Sequence, residues 1–166
     1  GISILGLFAA GTSLLEKTTI THNKVHNVMQ RLGDGGGIYT HGENPGGIIK
    51  DNVVYDVRRH PLAIGAPNRG IYFDSWSYDY SVSNNVTYNV SGTDYFMHDL
   101  IESNFPVWGP NYFGLTPGSG PGNITQTIFN QAGPIPQPSS SPSPSPAPSP
   151  KPGDFNADGK VDILDY

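Results

Sequence analysis

Two short segments of the chain carry a tyrosine followed two residues later by a histidine or a carboxylate. Gly36-Gly-Ile-Tyr-Thr-His41 matches Arg69-Gly-Ile-Tyr-Phe-Asp74, and Tyr95-Phe-Met-His98 is a looser third copy. If each segment is a strand with its isoleucine turned inward, alternation turns the neighbouring side chains outward. Because adjacent strands lie about 4.8 Å apart, the outer face then carries an aromatic row (Tyr39, Tyr72, Phe96) beside a polar row (His41, Asp74, His98).

Such a face suits carbohydrate chemistry. Aromatic rings pack against the apolar faces of sugar rings, and histidine and carboxylate groups bind hydroxyls or move protons. The three rings are therefore candidate substrate-binding residues, and the polar row holds candidate catalytic residues, with Asp74 the first choice. The alternative is that loops cover the rings and that His41 and Asp74 form a structural pair.

Further charged residues lie close to these segments in the sequence. Asp34 precedes the first segment and Glu43 follows it; either is a candidate catalytic partner for Asp74, and Arg69 is a candidate ligand for a sugar acid. If the first strand persisted, Glu43 would lie diagonally across from Asp74 at about 7–8 Å. Asp34 would lie roughly 23 Å along an extended strand from His41, unless the chain bends sharply at the glycines. Asp34 and Arg69 can also be ordinary turn residues.

A second group of oxygen ligands lies near the C-terminus. Carboxylate, amide and backbone oxygens would fall at positions 1, 3, 5, 7, 9 and 12 of a twelve-residue loop, with Gly159 at position 6, where the chain turns around the ion. This spacing predicts a calcium site formed by Asp154, Asn156, Asp158, Lys160 (through its carbonyl), Asp162 and Asp165. The alternative is an acidic, disordered tail.

A repeat predicts the elements that must position the candidate site. Three segments fit the template [IV]-x-x-N-x-[VT]-[HY]-[ND]-V, and they run Ile20–Val28, Ile49–Val57 and Val82–Val90, with a degraded fourth copy at Ile124. No helical pattern separates them, so the period favours a solenoid of three-strand coils. We expect Asn23, Asn52 and Asn85 to adopt left-handed backbone at the corners and to stack as an amide ladder. The last valine of each copy should stack inside.

These segments resemble the right-handed parallel β-helix superfamily of pectate-lyase-like folds, in particular its glycoside-hydrolase-type members. The resemblance rests on the Gly-Ile-Tyr strands and the Asn-x-Val-x-Asp-Val coils and covers residues 1–133. It implies an all-β fold, a right-handed parallel β-helix solenoid. It also favours Asp34 as the catalytic partner, because similar enzymes carry an acid just before the Gly-Ile-Tyr strand. The first residues resemble neither a signal peptide nor a chain start, so we expect further sequence upstream.

Composition sets the rest of the organisation. The segment 134–152 is almost entirely proline and serine and predicts a disordered, extended linker of the kind that joins extracellular modules. The net charge of −5 argues against a nucleic-acid partner, and no apolar run is long enough to span a membrane. The chain contains no cysteine. This does not exclude secretion, and because linkers of this kind join extracellular modules, we expect a secreted bacterial protein.

Residues 153–166 resemble the first half of a type I dockerin, because they contain Gly153-Asp-Phe-Asn-Ala-Asp-Gly-Lys-Val161 and because loop position 12 is Asp165 rather than glutamate. The resemblance implies tethering to a cohesin domain once the dockerin is complete. The sequence printed here stops before the following helix and second repeat, so we expect weak calcium binding and no cohesin binding from these residues alone.

Three functions remain open. A glycoside hydrolase would act through paired carboxylates. A polysaccharide lyase would need a base near lysine or arginine, and the lysines of residues 1–133 are few: Lys17, Lys24 and Lys50. A non-catalytic carbohydrate-binding or structural module would keep the aromatic row without a working pair of acids.

Overall fold

The computed structural model describes residues 1–5, 8–9, 12–13, 15–98 and 106–134. The chain divides into two units, Gly1–Ile135 and Pro136–Tyr166. Almost all of the predicted linker and the whole predicted calcium loop lie outside the described residues.

The regular secondary structure of the described part consists almost entirely of strands. In chain order they are β1 (Ile2–Leu5), β2 (Phe8–Ala9), β3 (Thr12–Ser13), β4 (Thr19–Thr21), β5 (Lys24–Val28), β6 (Gly36–His41), β7 (Gly47–Lys50), β8 (Val53–Val57), β9 (Arg69–Phe73), β10 (Tyr80–Ser83), β11 (Val86–Val90), β12 (Tyr95–Met97), β13 (Val107–Trp108) and β14 (Tyr112–Phe113). A 3₁₀ turn (Pro121–Asn123) and one helix, α1 (Ile124–Gln131), follow.

Three four-stranded parallel sheets contain every described strand except β2 and β3, which pair antiparallel with each other. Sheet 1 has the order β1-β6-β9-β12, sheet 2 the order β4-β7-β10-β13, and sheet 3 the order β5-β8-β11-β14. From β6 onward the chain visits sheets 1, 2 and 3 in turn and then returns to sheet 1 beside its previous strand. The fold is thus all-β and parallel, and it is compatible with a β-helix-like solenoid. Among the described residues, no helix has the length and apolar character needed to cross a membrane.

The core lies between the three sheets and is built from stacked rows of like side chains. Ile20, Ile49 and Val82 pair in register in sheet 2, and Val28, Val57 and Val90 do so in sheet 3, as the repeat predicted. Ile49, Val57 and Val82 are fully buried. Because each added strand contributes a member to a row, burial of apolar surface stabilises the stack strand by strand.

The predicted asparagine ladder is present. The side-chain amide of Asn23 donates to Asn52 Oδ1, that of Asn52 to Asn85 Oδ1, and that of Asn85 to Asn111 Oδ1, each at 2.9 Å. Asn52 and Asn85 are completely buried. The fourth rung, Asn111, belongs to the segment Trp108–Phe113, whose first and last residues pair with Val82 and Thr87.

Two expectations about the repeat are wrong. The fourth copy does not begin at Ile124, because that residue starts α1, which packs Ile128 over Val53 and Val86 on the outer side of sheet 3. The ladder asparagines also do not carry the left-handed backbone. The preceding residues do, His22, Asp51 and Asn84, with φ of 54–56°. The ladder side chains instead satisfy buried backbone groups, as Asn52 does at Ile20 O and Lys50 O.

Candidate functional site

The outer face of sheet 1 carries the aromatic row in the predicted register. Tyr39 pairs with Tyr72, and Tyr72 with Phe96. Their rings meet edge to face, with centroids 5.3 Å and 5.5 Å apart. The row is unevenly covered, because Tyr72 is only 5% exposed whereas Tyr39 and Phe96 are half-buried. The central ring therefore serves mainly to hold its neighbours, and the two outer rings offer the accessible surface.

Asp74 is the most heavily engaged carboxylate of this face. It directly follows β9, and its two oxygens accept hydrogen bonds from separate groups. The phenol of Tyr39 donates to Oδ2, while the backbone N–H of Ser75 donates to Oδ1 at 2.7 Å. His98 Nδ1 lies 3.1 Å from Oδ1. The carboxylate and one imidazole of the predicted polar row are thus in direct contact.

His41 occupies a different place in the polar row. Its ring lies near-perpendicular to that of Trp76, with centroids 6.2 Å apart. Its charge lowers the pKa of Asp74.

The pKa shifts in the site have opposite directions for the carboxyl group of Asp74 and for the two phenols. Burial tends to raise the pKa of Asp74, but the bonds from Tyr39 and Ser75 and the nearby His98 and His41 outweigh it, so this pKa lies below its usual value. Burial and Asp74 raise the pKa of Tyr39, and burial together with Asp74 and Asp34 raises that of Tyr72 to about 12. Asp74 is therefore an anion at neutral pH, and both phenols keep their protons.

Asp34 reaches the same tyrosine pair from the opposite side. The phenol of Tyr72 lies 3.4 Å from Asp34 Oδ1, a long hydrogen bond. The chain turns at Asp34 itself, whose φ is 57° and whose N–H donates to Ala66 O at 2.7 Å. The chain is therefore not extended at Asp34, and this residue does not lie as far along the strand as an extended chain would place it. Asp34 also lines a cavity of about 270 Å³ that includes Tyr39.

Glu43 and Arg69 lie at the margins of this group. Strand β6 ends at His41, so the persisting strand that would have set Glu43 diagonally across from Asp74 does not exist. Glu43 is exposed, in a segment bonded on both sides to the loop after β9, through Gly42 N to Ser75 O and Asn44 N to Tyr78 O. Arg69 begins β9, and its guanidinium carbon lies 4.3 Å from the centroid of the Phe96 ring.

Two residues of the site were missed by the sequence analysis. Ser75 bonds Asp74 through its backbone and places its hydroxyl 3.3 Å from His98 Nδ1. Trp76 follows it and is half-exposed. The available signal was the tetrapeptide Asp74-Ser-Trp-Ser77, a large aromatic in an otherwise polar turn directly after a strand.

Comparison of the chain with known protein families, with curated proteins and with solved structures gives no match.

Proposed function

We propose that the protein is a secreted carbohydrate-active protein whose strand region, a right-handed parallel β-helix of the pectate-lyase-like kind, hydrolyses glycosidic bonds of a polysaccharide. The observation that carries this proposal is the set of contacts that Asp74 makes with Tyr39, Ser75 and His98. Asp74 is an ionised carboxylate on the outer face of sheet 1, beside a half-buried aromatic row, with a histidine at 3.1 Å.

Asp74 suits the role that needs a negative charge. In an inverting hydrolase it accepts a proton from water as the water oxygen attacks the anomeric carbon; in a retaining one it attacks that carbon itself. Its lowered pKa keeps it charged, and Tyr39 and Ser75 hold its oxygens in a fixed direction. Either role requires a second carboxyl group to protonate the leaving oxygen.

Asp34 is the better-supported proton donor. Tyr39 holds Asp74, Tyr72 approaches Asp34, and the two phenols belong to rings that pack edge to face. The pair of tyrosines thus links two carboxyl groups across the face. Glu43 is the alternative, and its place beside the Trp76 loop favours a binding role.

The experiment measures release of reducing ends from a panel of polysaccharides by the full chain and by Asp74→Asn, Asp34→Asn and Glu43→Gln. We expect the first two substitutions to lower kcat by two or more orders of magnitude and Glu43→Gln to act mainly on KM. Full activity of Asp74→Asn would refute this site. An unsaturated product, seen by its ultraviolet absorbance, would instead support a polysaccharide lyase.

A second candidate is a non-catalytic carbohydrate-binding module. It is favoured by the occupation of both Asp74 oxygens by protein donors. A module of this kind would bind a sugar saturably without cleaving it, and Asp34→Asn would leave this binding unchanged.

The C-terminal residues supply the proposed attachment. Asp154, Asn156, Asp158, Lys160, Asp162 and Asp165 have the donor types and spacing of a calcium loop. Bound calcium would order this loop as part of a dockerin-like module, whose partner in complete form is a cohesin domain. The proline-rich segment 134–152 would act as the spacer. Co-purification of the full-length protein with a cohesin domain, lost on calcium chelation, is the test.

A further inference from the structure

The turn after β9 places a tryptophan at a position that favours glycine. Ser77 N–H donates to Asp74 O at 3.0 Å, which makes residues 74–77 a β-turn with Trp76 as its third residue. Its φ is 61°, in the left-handed region that bulky residues seldom adopt. Tyr78 N–H closes a second, tighter turn on Trp76 O at 2.7 Å. Local strain of this kind persists where surrounding structure enforces it and is frequent at ligand sites.

The result of this turn is an indole presented beside the carboxylate. Trp76 is 49% exposed although it follows Asp74 by only two residues. On one side its ring meets the His41 ring near-perpendicularly, at 6.2 Å between centroids. An exposed indole held in one orientation by two turns and a neighbouring ring is a preorganised surface for a flat apolar group.

An acidic side chain lies along the same surface. The backbone bonds from Gly42 to Ser75 and from Asn44 to Tyr78 hold the segment 42–44 alongside the Trp76 turn. Glu43, between these two bonds, is exposed. Its carboxylate accepts hydrogen bonds from hydroxyl groups but repels a carboxylate on a ligand. A uronic acid ring is therefore disfavoured here.

We infer that Trp76 is the stacking platform for a neutral pyranose ring in the subsite next to Asp74, with Glu43 accepting hydrogen bonds from its hydroxyls. This inference rests on the proposed carbohydrate activity of the same site. It names the substrate at this subsite as an uncharged pyranoside with an apolar ring face.

The chain contains only two tryptophans, and this makes binding directly observable. Trp108 packs against the core among Phe73, Tyr95 and Phe113. In the Trp108→Phe variant the emission of Trp76 is the sole tryptophan signal. We expect it to change saturably on titration with neutral gluco- or xylo-oligosaccharides and to respond much less to an oligogalacturonide of equal length. The matched control, Trp76→Phe, keeps Trp108 and should show no change.

Kinetics of the full chain complete the test. Trp76→Ala should raise KM for the polysaccharide it cleaves by on the order of tenfold with little effect on kcat, and Trp76→Phe should recover most of this loss. Glu43→Gln should reduce the ratio of the affinity for neutral oligosaccharides to that for acidic ones.

Cleavage with an unchanged KM in Trp76→Ala would overturn the inference and leave the hydrolase proposal standing. Saturable quenching of Trp76 by a neutral sugar in a protein without hydrolytic activity would support the inference and refute the hydrolase proposal. Equal binding of acidic and neutral oligosaccharides would overturn the assignment of a neutral ring.

Discussion

Tyr39 donates its phenolic hydrogen to the carboxylate of Asp74 from the neighbouring strand of sheet 1. Tyr39 pairs directly with Tyr72, and Asp74 lies two residues beyond Tyr72, so the bond runs diagonally across the pair of strands. One contact therefore fixes both the ring that would face a sugar and the carboxylate that would act on it. It also couples their proton affinities, lowering the pKa of Asp74 and raising that of Tyr39.

Removing the Tyr39 hydroxyl should change the pH at which the protein loses stability on acidification. A carboxyl whose folded-state pKa is lowered contributes stability above its unfolded pKa, and this contribution is lost as pH falls through the folded value. Burial raises the pKa of Asp74, and Tyr39→Phe removes one of the hydrogen bonds that oppose this effect. We expect the pKa of Asp74, followed by carboxyl NMR, to rise and the acid limb of the pH–stability curve to move to higher pH. Tyr72→Phe is the control, since Tyr72 bonds Asp34; an equal shift there would contradict the assignment.

The asparagine ladder should contribute strongly to stability at its buried rungs. Asn52 donates to Ile20 O, Lys50 O and Asn85 Oδ1 and accepts from Asn23. Asn52→Ala leaves several buried partners without hydrogen bonds and should lower the free energy of unfolding by about 3 kcal/mol or more. Denaturant titration measures this change. Asn111→Ala, at the half-exposed end rung, should cost clearly less, and equal losses would show that the rungs do not act through burial.

Helix α1 should stabilise the protein by covering the outer side of sheet 3. Ile128 is 2% exposed and packs against Val53 and Val86. Ile128→Ala should lower the free energy of unfolding by about 2–4 kcal/mol, whereas Gln126→Ala, on a more exposed side of the helix, should change it little. Equal effects in the two variants would argue that the helix does not dock on the sheet.

Calcium should bind at the C-terminal loop. Calorimetry of the full chain should show calcium binding that Asp154→Asn weakens by on the order of tenfold, because the loop loses a charged ligand. Asp79→Asn is the control, since Asp79 is an exposed residue of the strand region that keeps a left-handed backbone, which asparagine tolerates. Equal weakening by both substitutions would place the ion elsewhere.

Much of the fold could be predicted because it repeats. Each copy presents the same side chains at the same offsets, so the register of Asn23, Asn52 and Asn85 and the rows of sheet 1 follow from alignment alone. The fourth copy was misplaced because its valines are replaced by aromatics, in Trp108-Gly-Pro-Asn111-Tyr-Phe113. The spacing of Ile124, Ile128 and Ala132 is helical and was the signal against a strand there.

The site was harder to predict than the sheets. The position of Asp34 depends on a left-handed turn at Asp34 itself, and that of Glu43 on the end of β6 at His41. Both are loop conformations set by hydrogen bonds to distant segments of the chain, such as the bond from Asp34 N to Ala66 O. No local pattern encodes such bonds, and Trp76 occupies a turn position where sequence rules favour glycine.

Successive rungs of the ladder are 29, 33 and 26 residues apart in the sequence, yet each rung has the same 2.9 Å bond. The connections that return the chain to sheet 1, residues 29–35, 58–68 and 91–94, differ in length, and the sheets nevertheless stay in register. The length of a connection can therefore change without altering the pairing of the strands. Residues 58–68 include Ala66, whose carbonyl accepts a hydrogen bond from Asp34 N–H, so lengthening or replacing this connection would change the surroundings of Asp34 and leave the sheets as they are.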